Sequence, residues 1–255
     1  MKEKIKKHFR SQFERFKQEI KLPEYIWWWI TRGVMFWSCF YAVKNLPSQL
    51  ILAVFGNTLA TFAIPLLSAL FPQKLYFGRL PFRAQSYINF FVFVGSFLHQ
   101  CTDIGDYVNY FDKWLHFFAG LLGVFLGCVL LRAISPETKL DKKQELCGGV
   151  GFSVFLMIIW EMFEFFADYY IAGSCNQGYG ITYSDDNPWF KIFGFGAQNE
   201  GQRPLYDTFF DLTTAIFGMI IAIVIFLAVM KISKSKEKKQ AEISKADEAK
   251  EAIEA

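Results

Sequence analysis

Apolar residues fall in six long blocks separated by short polar connectors, near 25–43, 48–71, 86–104, 113–134, 146–171 and 206–230. Each block approaches the roughly 20 residues that a helix needs to cross the hydrocarbon core of a bilayer. Barrel strands would be shorter and would alternate with period two. The pattern therefore predicts an all-α fold, a polytopic bundle of about six transmembrane helices filling residues 23–230. Pro65 should kink the second span, and Asn57 gives that span a polar point. Residues 1–22 read differently. Ile5, Phe9, Phe13, Phe16 and Ile20 recur at steps of three and four among Lys and Arg, which predicts an amphipathic helix ended by Pro23. Such a helix lies either on the membrane surface or on the protein's own loops. Residues 231–255, rich in Lys, Glu and Ala, predict a solvated charged tail without a core of its own.

Composition sharpens the class. Of 255 residues, 53% are hydrophobic and 30 are Phe, a load that excludes an ordinary soluble domain. The net charge of +3 says less than its distribution. The N-terminal segment, the connectors after blocks two (Lys74, Arg79, Arg83) and four (Arg132, Lys139, Lys142, Lys143) and the tail together hold 22 of the 27 Lys and Arg residues. Cytoplasmic loops carry such an excess, so both termini are expected in the cytoplasm. The first apolar block starts too far in, and lacks the small-residue site, for a cleavable signal peptide. The five cysteines have no metal-ligand spacing. Cys39, Cys128 and Cys147 read as small hydrophobes. Cys101 and Cys175 both fall near the outer face, where a disulfide between them is one arrangement.

The candidate chemistry lies inside the blocks. Asp112 and His116, Glu161 and Glu164, and Asp207 and Asp211 are pairs at helical spacing on three separate spans. With the termini inside, all three pairs point toward the outer end of the bundle. Ionisable groups at membrane depth are costly and usually mark a functional site. Several carboxylates and an imidazole in one apolar pocket require either protonation or a cation. His116, Glu161, Glu164 and Asp211 are the candidate ligands of a divalent metal ion, and their mixed N/O chemistry suits Zn²⁺, Mn²⁺ or Mg²⁺. Asp112 and Asp207 are the candidate catalytic or orienting acids. His99, Asp103 and Asp106 belong to the same outer zone. Plainer roles exist for some of these residues. Asp112 fits a helix N-cap before Lys113, Asp207 fits a first-turn acid, and Glu164 fits a partner for Arg32 or Arg203. Asp168, Asp185, Asp186 and Glu200 fit solvated or loop-structuring acids.

The connector 173–205 combines Gly, Asn and Asp with Trp189, Phe190, Phe193 and Phe195. It reads as a lid over the acidic pocket or as an interfacial aromatic belt. Gly148-Gly149-Val150-Gly151 follows no strand and enters a span, so it predicts close helix packing rather than a nucleotide loop. Nothing in the chain reads as a nucleic-acid module.

Three strings carry a resemblance: Asp112-Lys113-Trp114-Leu115-His116-Phe117-Phe118-Ala119-Gly120, Trp160-Glu161-Met162-Phe163-Glu164, and Tyr206-Asp207-Thr208-Phe209-Phe210-Asp211 with Gly218. Together they resemble the YjdF-like family of small bacterial inner-membrane proteins and, more distantly, VanZ-like proteins, some of which are linked to glycopeptide resistance. The resemblance covers roughly residues 85–230. It implies a polytopic protein of the bacterial cytoplasmic membrane and a shared acid/His pattern at Asp112, His116, Glu161, Glu164, Asp207 and Asp211, without a reaction. Tyr206 stands where the family pattern leads one to expect Trp.

Three functions fit these residues. One is a divalent-cation site acting on a lipid or envelope precursor. The second is a small transporter with Glu161 and Glu164 as proton or cation carriers. The third is an accessory subunit whose acids only hold the bundle together. The sequence leaves oligomeric state open.

Overall fold

A computed structural model describes residues 2–46, 48–102, 104–108, 110–134, 140–170, 177 and 203–254. Every regular element among them is helical. Helix α1 (Lys2–Glu19) is followed by α2 (Leu22–Asn45), α3 (Ser48–Ala60), α4 (Ala63–Leu70) and the short α5 (Tyr76–Arg79). Helix α6 (Ala84–Phe91) runs on through a π-helical stretch (Val92–Leu98) into α7 (His99–Cys101), and α8 (Ile104–Tyr107) follows. Three long helices complete the fold: α9 (Phe111–Ile134), α10 (Lys142–Tyr170) and α11 (Arg203–Glu254).

Phe111–Ile134, Lys142–Tyr170 and Leu205–Glu237 are each long and apolar enough to cross a membrane. Leu50–Ala60 and Ala63–Leu70 reach that standard together, as a pair bent by 56°. Among the described residues the count is therefore three spans, or four with the bent pair, where the block pattern suggests six. Helix α2 has the length at 24 residues, but Trp, Tyr and Arg32 dilute its apolar character. Ala84–Leu98 is apolar but short. Large apolar side chains cover the outside of α10 and α11, among them Phe155, Ile158, Phe163, Ile220 and Val224. An aqueous surface would not tolerate that contiguous cover, and a lipid-facing one requires it.

The bend between α3 and α4 follows from Pro65. A proline supplies no N–H to the carbonyl four residues back and its ring crowds that carbonyl, which here belongs to Thr61. The chain opens at Thr61 and Phe62, one turn before the proline. The freed groups are matched from elsewhere. Arg32 donates from Nε and Nη2 to the Thr61 carbonyl, at 3.3 and 2.9 Å. Buried Gln85 accepts from the Ile64 N–H at 2.9 Å and donates to the Ala60 carbonyl at 3.0 Å.

Helix α1 seats on the protein itself along one face. Arg15 donates to the Gly78 and Leu80 carbonyls at 2.8 and 2.9 Å, and Gln12 donates to Gly78 at 3.1 Å. Glu19 accepts the Phe82 N–H at 2.7 Å. Phe16 and Ile20, from the apolar stripe, pack with Trp28 and Phe82. Ile5, Phe9 and Phe13 from the same stripe stay exposed. The helix thus docks on the 71–83 connector with half of its stripe and presents the other half outward.

Small residues hold the C-terminal three helices together. A Cβ at Gly120 would fall on the Ala215 carbonyl, and one at Gly218 on the Phe117 carbonyl, so α9 and α11 touch backbone to backbone. Gly149 meets Val124 and Cys128 of α9 in the same way, and Ser153 donates to the Gly120 carbonyl at 3.0 Å. The Gly148–Gly151 string is therefore a packing surface at Gly149, while Gly151 faces open space. Cys101 is buried and free beside Cys39; Cys175 lies outside the described residues.

Candidate functional site

Helix α9 begins, α10 ends and α11 begins at the same end of the bundle. The chain enters α9 through Tyr110 at φ 60°, a left-handed conformation that costs a non-glycine residue roughly 1–2 kcal/mol. From there Asp112, Lys113 and His116 project from the first turns of α9. Glu161 and Glu164 come from the last turns of α10, and Asp207 and Asp211 from the first turns of α11. All six acid and histidine positions singled out in the sequence meet here. His116, Glu161, Glu164, Asp207 and Asp211 are buried, and Asp112 is partly open.

Lys113 is the residue that sequence reasoning missed. Its Nζ lies 3.0 Å from Asp112, 2.5 Å from Asp207 and 2.8 Å from Asp211. One ammonium thus holds three carboxylates from two helices. In the sequence it looked like a boundary lysine next to Asp112. The usable signal was a lysine one turn from a histidine inside a span facing acids on another. This finding also replaces the N-cap reading of Asp112, which sits inside the first turn of α9 as an ion-pair partner.

His116 occupies the second half of the site. Its Nε2 lies 3.6 Å from Asp112, 3.7 Å from Asp211 and 3.9 Å from Glu164, and its Nδ1 lies 3.6 Å from Glu161. These separations are too long for hydrogen bonds. They are close to the roughly 3.4 Å between neighbouring ligands of a tetrahedral ion with bonds of about 2.1 Å. One ligand atom each from His116, Glu161, Glu164 and Asp211 fits within 4.8 Å of the others. His116 Nδ1, both Glu161 carboxylate oxygens and Glu164 Oε2 are buried and have no hydrogen-bond partner among the described residues. The other Glu164 oxygen accepts Trp160 Nε1–H at 2.6 Å. Asp112, Asp207 and Asp211 also have metal-ligand proximity, but Lys113 already stands between them.

Arg32 does not serve Glu164; it bonds to Thr61 in the other half of the molecule. His99 stacks on Phe111 rather than joining the cluster. Asp103, Asp185, Asp186, Glu200 and the aromatic residues of the 173–205 connector lie outside the described residues, as do the side chains of Asp106 and Arg203. One point of that connector is described. Gln177 is buried, its N–H donates to Asp168 at 2.8 Å, and its amide donates to Thr208 at 3.1 Å. Asp168 is thus a loop-structuring acid, and the connector is tied to α10 one turn from Glu164 and to α11 at the residue after Asp207.

The molecule is a helical integral membrane protein with buried acids, a buried histidine and a half-buried lysine between three of its spanning helices. It belongs to the family described as predicted membrane protein (DUF2238), whose profile matches residues 24–232. The YjdF-like resemblance is consistent with that membership; the comparisons do not show the VanZ likeness. No curated protein and no solved structure matches the chain.

Proposed function

We propose that the pocket formed by His116, Glu161, Glu164 and Asp211 binds a divalent cation and acts on a lipid or envelope precursor. The observation that carries this reading is the set of buried ligand atoms on His116, Glu161 and Glu164 that have no hydrogen-bond partner among the described residues. Leaving such atoms unmatched costs about 1–3 kcal/mol each, and more for charged groups, and a cation removes that cost. The donor set suits Zn²⁺, Mn²⁺ or Mg²⁺, which supply Lewis acidity toward a phosphoryl or carbonyl oxygen. The position of the pocket between membrane helices favours an amphiphilic substrate. Asp112, the most open of the acids, is the proton-exchanging group in this reading. Asp207 orients the site through Lys113. The excess of Lys and Arg in the other connectors and the termini supports an extracytoplasmic position for this end with both termini inside, and the YjdF-like resemblance supports a bacterial cytoplasmic membrane.

The test is elemental analysis of detergent-purified protein beside a Glu164→Gln/Asp211→Asn variant that still folds. Near-stoichiometric Zn, Mn or Mg in the wild type, reduced to background in the variant, supports the proposal and justifies lipid phosphohydrolysis and transfer assays. Metal-free wild type after purification and add-back refutes it.

Lys113 favours a second reading. An ammonium already offsets part of the acidic charge, and carboxylates exchanging protons around it are suited to cation-coupled transport. Proton-coupled uptake into proteoliposomes, lost in Glu161→Gln, is the outcome expected of that reading.

A further inference from the structure

The second buried cation, Arg32, lies in the other half of the molecule and in a different setting. It is 4% exposed. One carbonyl, that of Thr61, takes its Nε and Nη2 donors, and no carboxylate among the described residues lies in ion-pair range. The rest of its surroundings are aromatic. The guanidinium carbon lies 4.3 Å from the Phe62 ring centroid, 5.1 Å from Trp29 and 5.4 Å from Trp28. Because Trp28 and Trp29 precede Arg32 by about one turn, the side chain reaches back toward the start of α2. That is the end at which α1 brings its lysines and arginines.

A cavity of about 390 Å³ opens against this guanidinium between α1, α2 and α4. Its wall includes Phe13, Trp28, Trp29, Phe62, Pro65 and Ala69. The volume falls in the range of small-molecule sites. The wall is apolar, and among the described residues the one formal charge lining it is positive. Thr61 offers a dipole, and the ring faces offer weak attraction, but neither neutralises a charge. A guanidinium with donors to spare matches phosphate geometry in particular.

We infer that this pocket seats an anionic phospholipid, with the phosphate on Arg32 and an acyl chain along the aromatic wall. The Lys-rich α1 beside the opening draws anionic headgroups to it. Its exposed Phe9, which also lines the cavity, sits where acyl chains would pass. The inference is independent of the acid cluster and stands or falls without it.

The experiment uses the full chain, delipidated in detergent, with thermal unfolding and native mass spectrometry read after adding dioleoylphosphatidylglycerol, dioleoylphosphatidylcholine or inorganic phosphate. Near-saturating phosphatidylglycerol is expected to raise the wild-type midpoint by about 5 °C, with one retained lipid. Phosphatidylcholine and inorganic phosphate should leave it unchanged. Arg32→Gln should abolish the shift by removing the charge. Ala69→Phe should abolish it by filling the cavity while keeping Arg32, and it decides the matter if Arg32→Gln fails to fold. Equal phosphatidylglycerol shifts in the wild type and the folded variants would overturn the inference. So would an equal response to inorganic phosphate, which would mark a seat for a free anion.

Discussion

Glu145 and Glu164 are both buried carboxylates on α10, about 28 Å apart along the helix, and they are treated in opposite ways. Both oxygens of Glu145 are matched. Arg132 donates to them at 2.9 and 2.7 Å in a fork, and Lys142 adds a contact at 3.0 Å. Glu164 has one indole donor; among the described residues neither Glu161 oxygen has a donor within hydrogen-bond distance, and Thr208 is the hydroxyl that approaches it. The same two helices, α9 and α10, supply both ends, so the contrast does not come from a shortage of partners in the fold. A buried acid that is fully paired with bases explains itself as architecture. A buried acid with no base among the described residues, next to a histidine and a second such acid, requires either a proton or a cation.

The largest expected effect tests the boundary between the two treatments. Lys113→Met leaves three carboxylates without their shared ammonium and should cost about 3–5 kcal/mol. The thermal midpoint in detergent would show it, and millimolar Mn²⁺ or Mg²⁺ should restore part of the loss. A variant as stable as the wild type would mean that Lys113 is not what holds Asp207 and Asp211. At the paired end, Arg132→Ala removes the fork on Glu145 and should cost about 2 kcal/mol, with no response to divalent cations. Gln177→Ala removes one neutral hydrogen bond between the connector and Thr208 and should cost about 1 kcal/mol in denaturant unfolding. In metal-free protein, Glu164→Gln should cost close to nothing, because it relieves like charge in the open half. A loss there as large as that of Arg132→Ala would erase the distinction between the two ends.

The open side of this contrast was legible in the sequence; the paired side at Glu145 was not. Acids and His116 at three- and four-residue steps placed one polar face on each of three spans, and the helical period was enough to bring the six residues together. The ion trio on Lys113 was not legible, because its partners Asp207 and Asp211 are 94 and 98 residues away. A lysine beside an aspartate at a span end reads as a boundary marker. Pro65 announced a kink, but where the chain opens depends on the carbonyl four residues earlier. Who fills that opening depends on Arg32 and Gln85, which sit on helices with no sequence link to it. Fewer than six described helices meet the length and apolarity of a span by themselves, because α2 owes much of its hydrophobic mass to Trp and Tyr, and because the third block breaks into α6, a π-helical stretch and short turns.

The separation between Lys113 and its two α11 partners also has a consequence for biogenesis. Helix α9 is synthesised and enters the bilayer while α11 does not yet exist, so the ammonium first has only Asp112 as company. The backbone contacts at Gly120 and Gly218 and the three-carboxylate cluster can close only when α11 arrives. Closure of the cluster therefore cannot precede the arrival of α11. A chain arrested before that step carries an incompletely neutralised charge in the membrane, the kind of defect by which quality-control proteases distinguish an unfinished protein from a finished one.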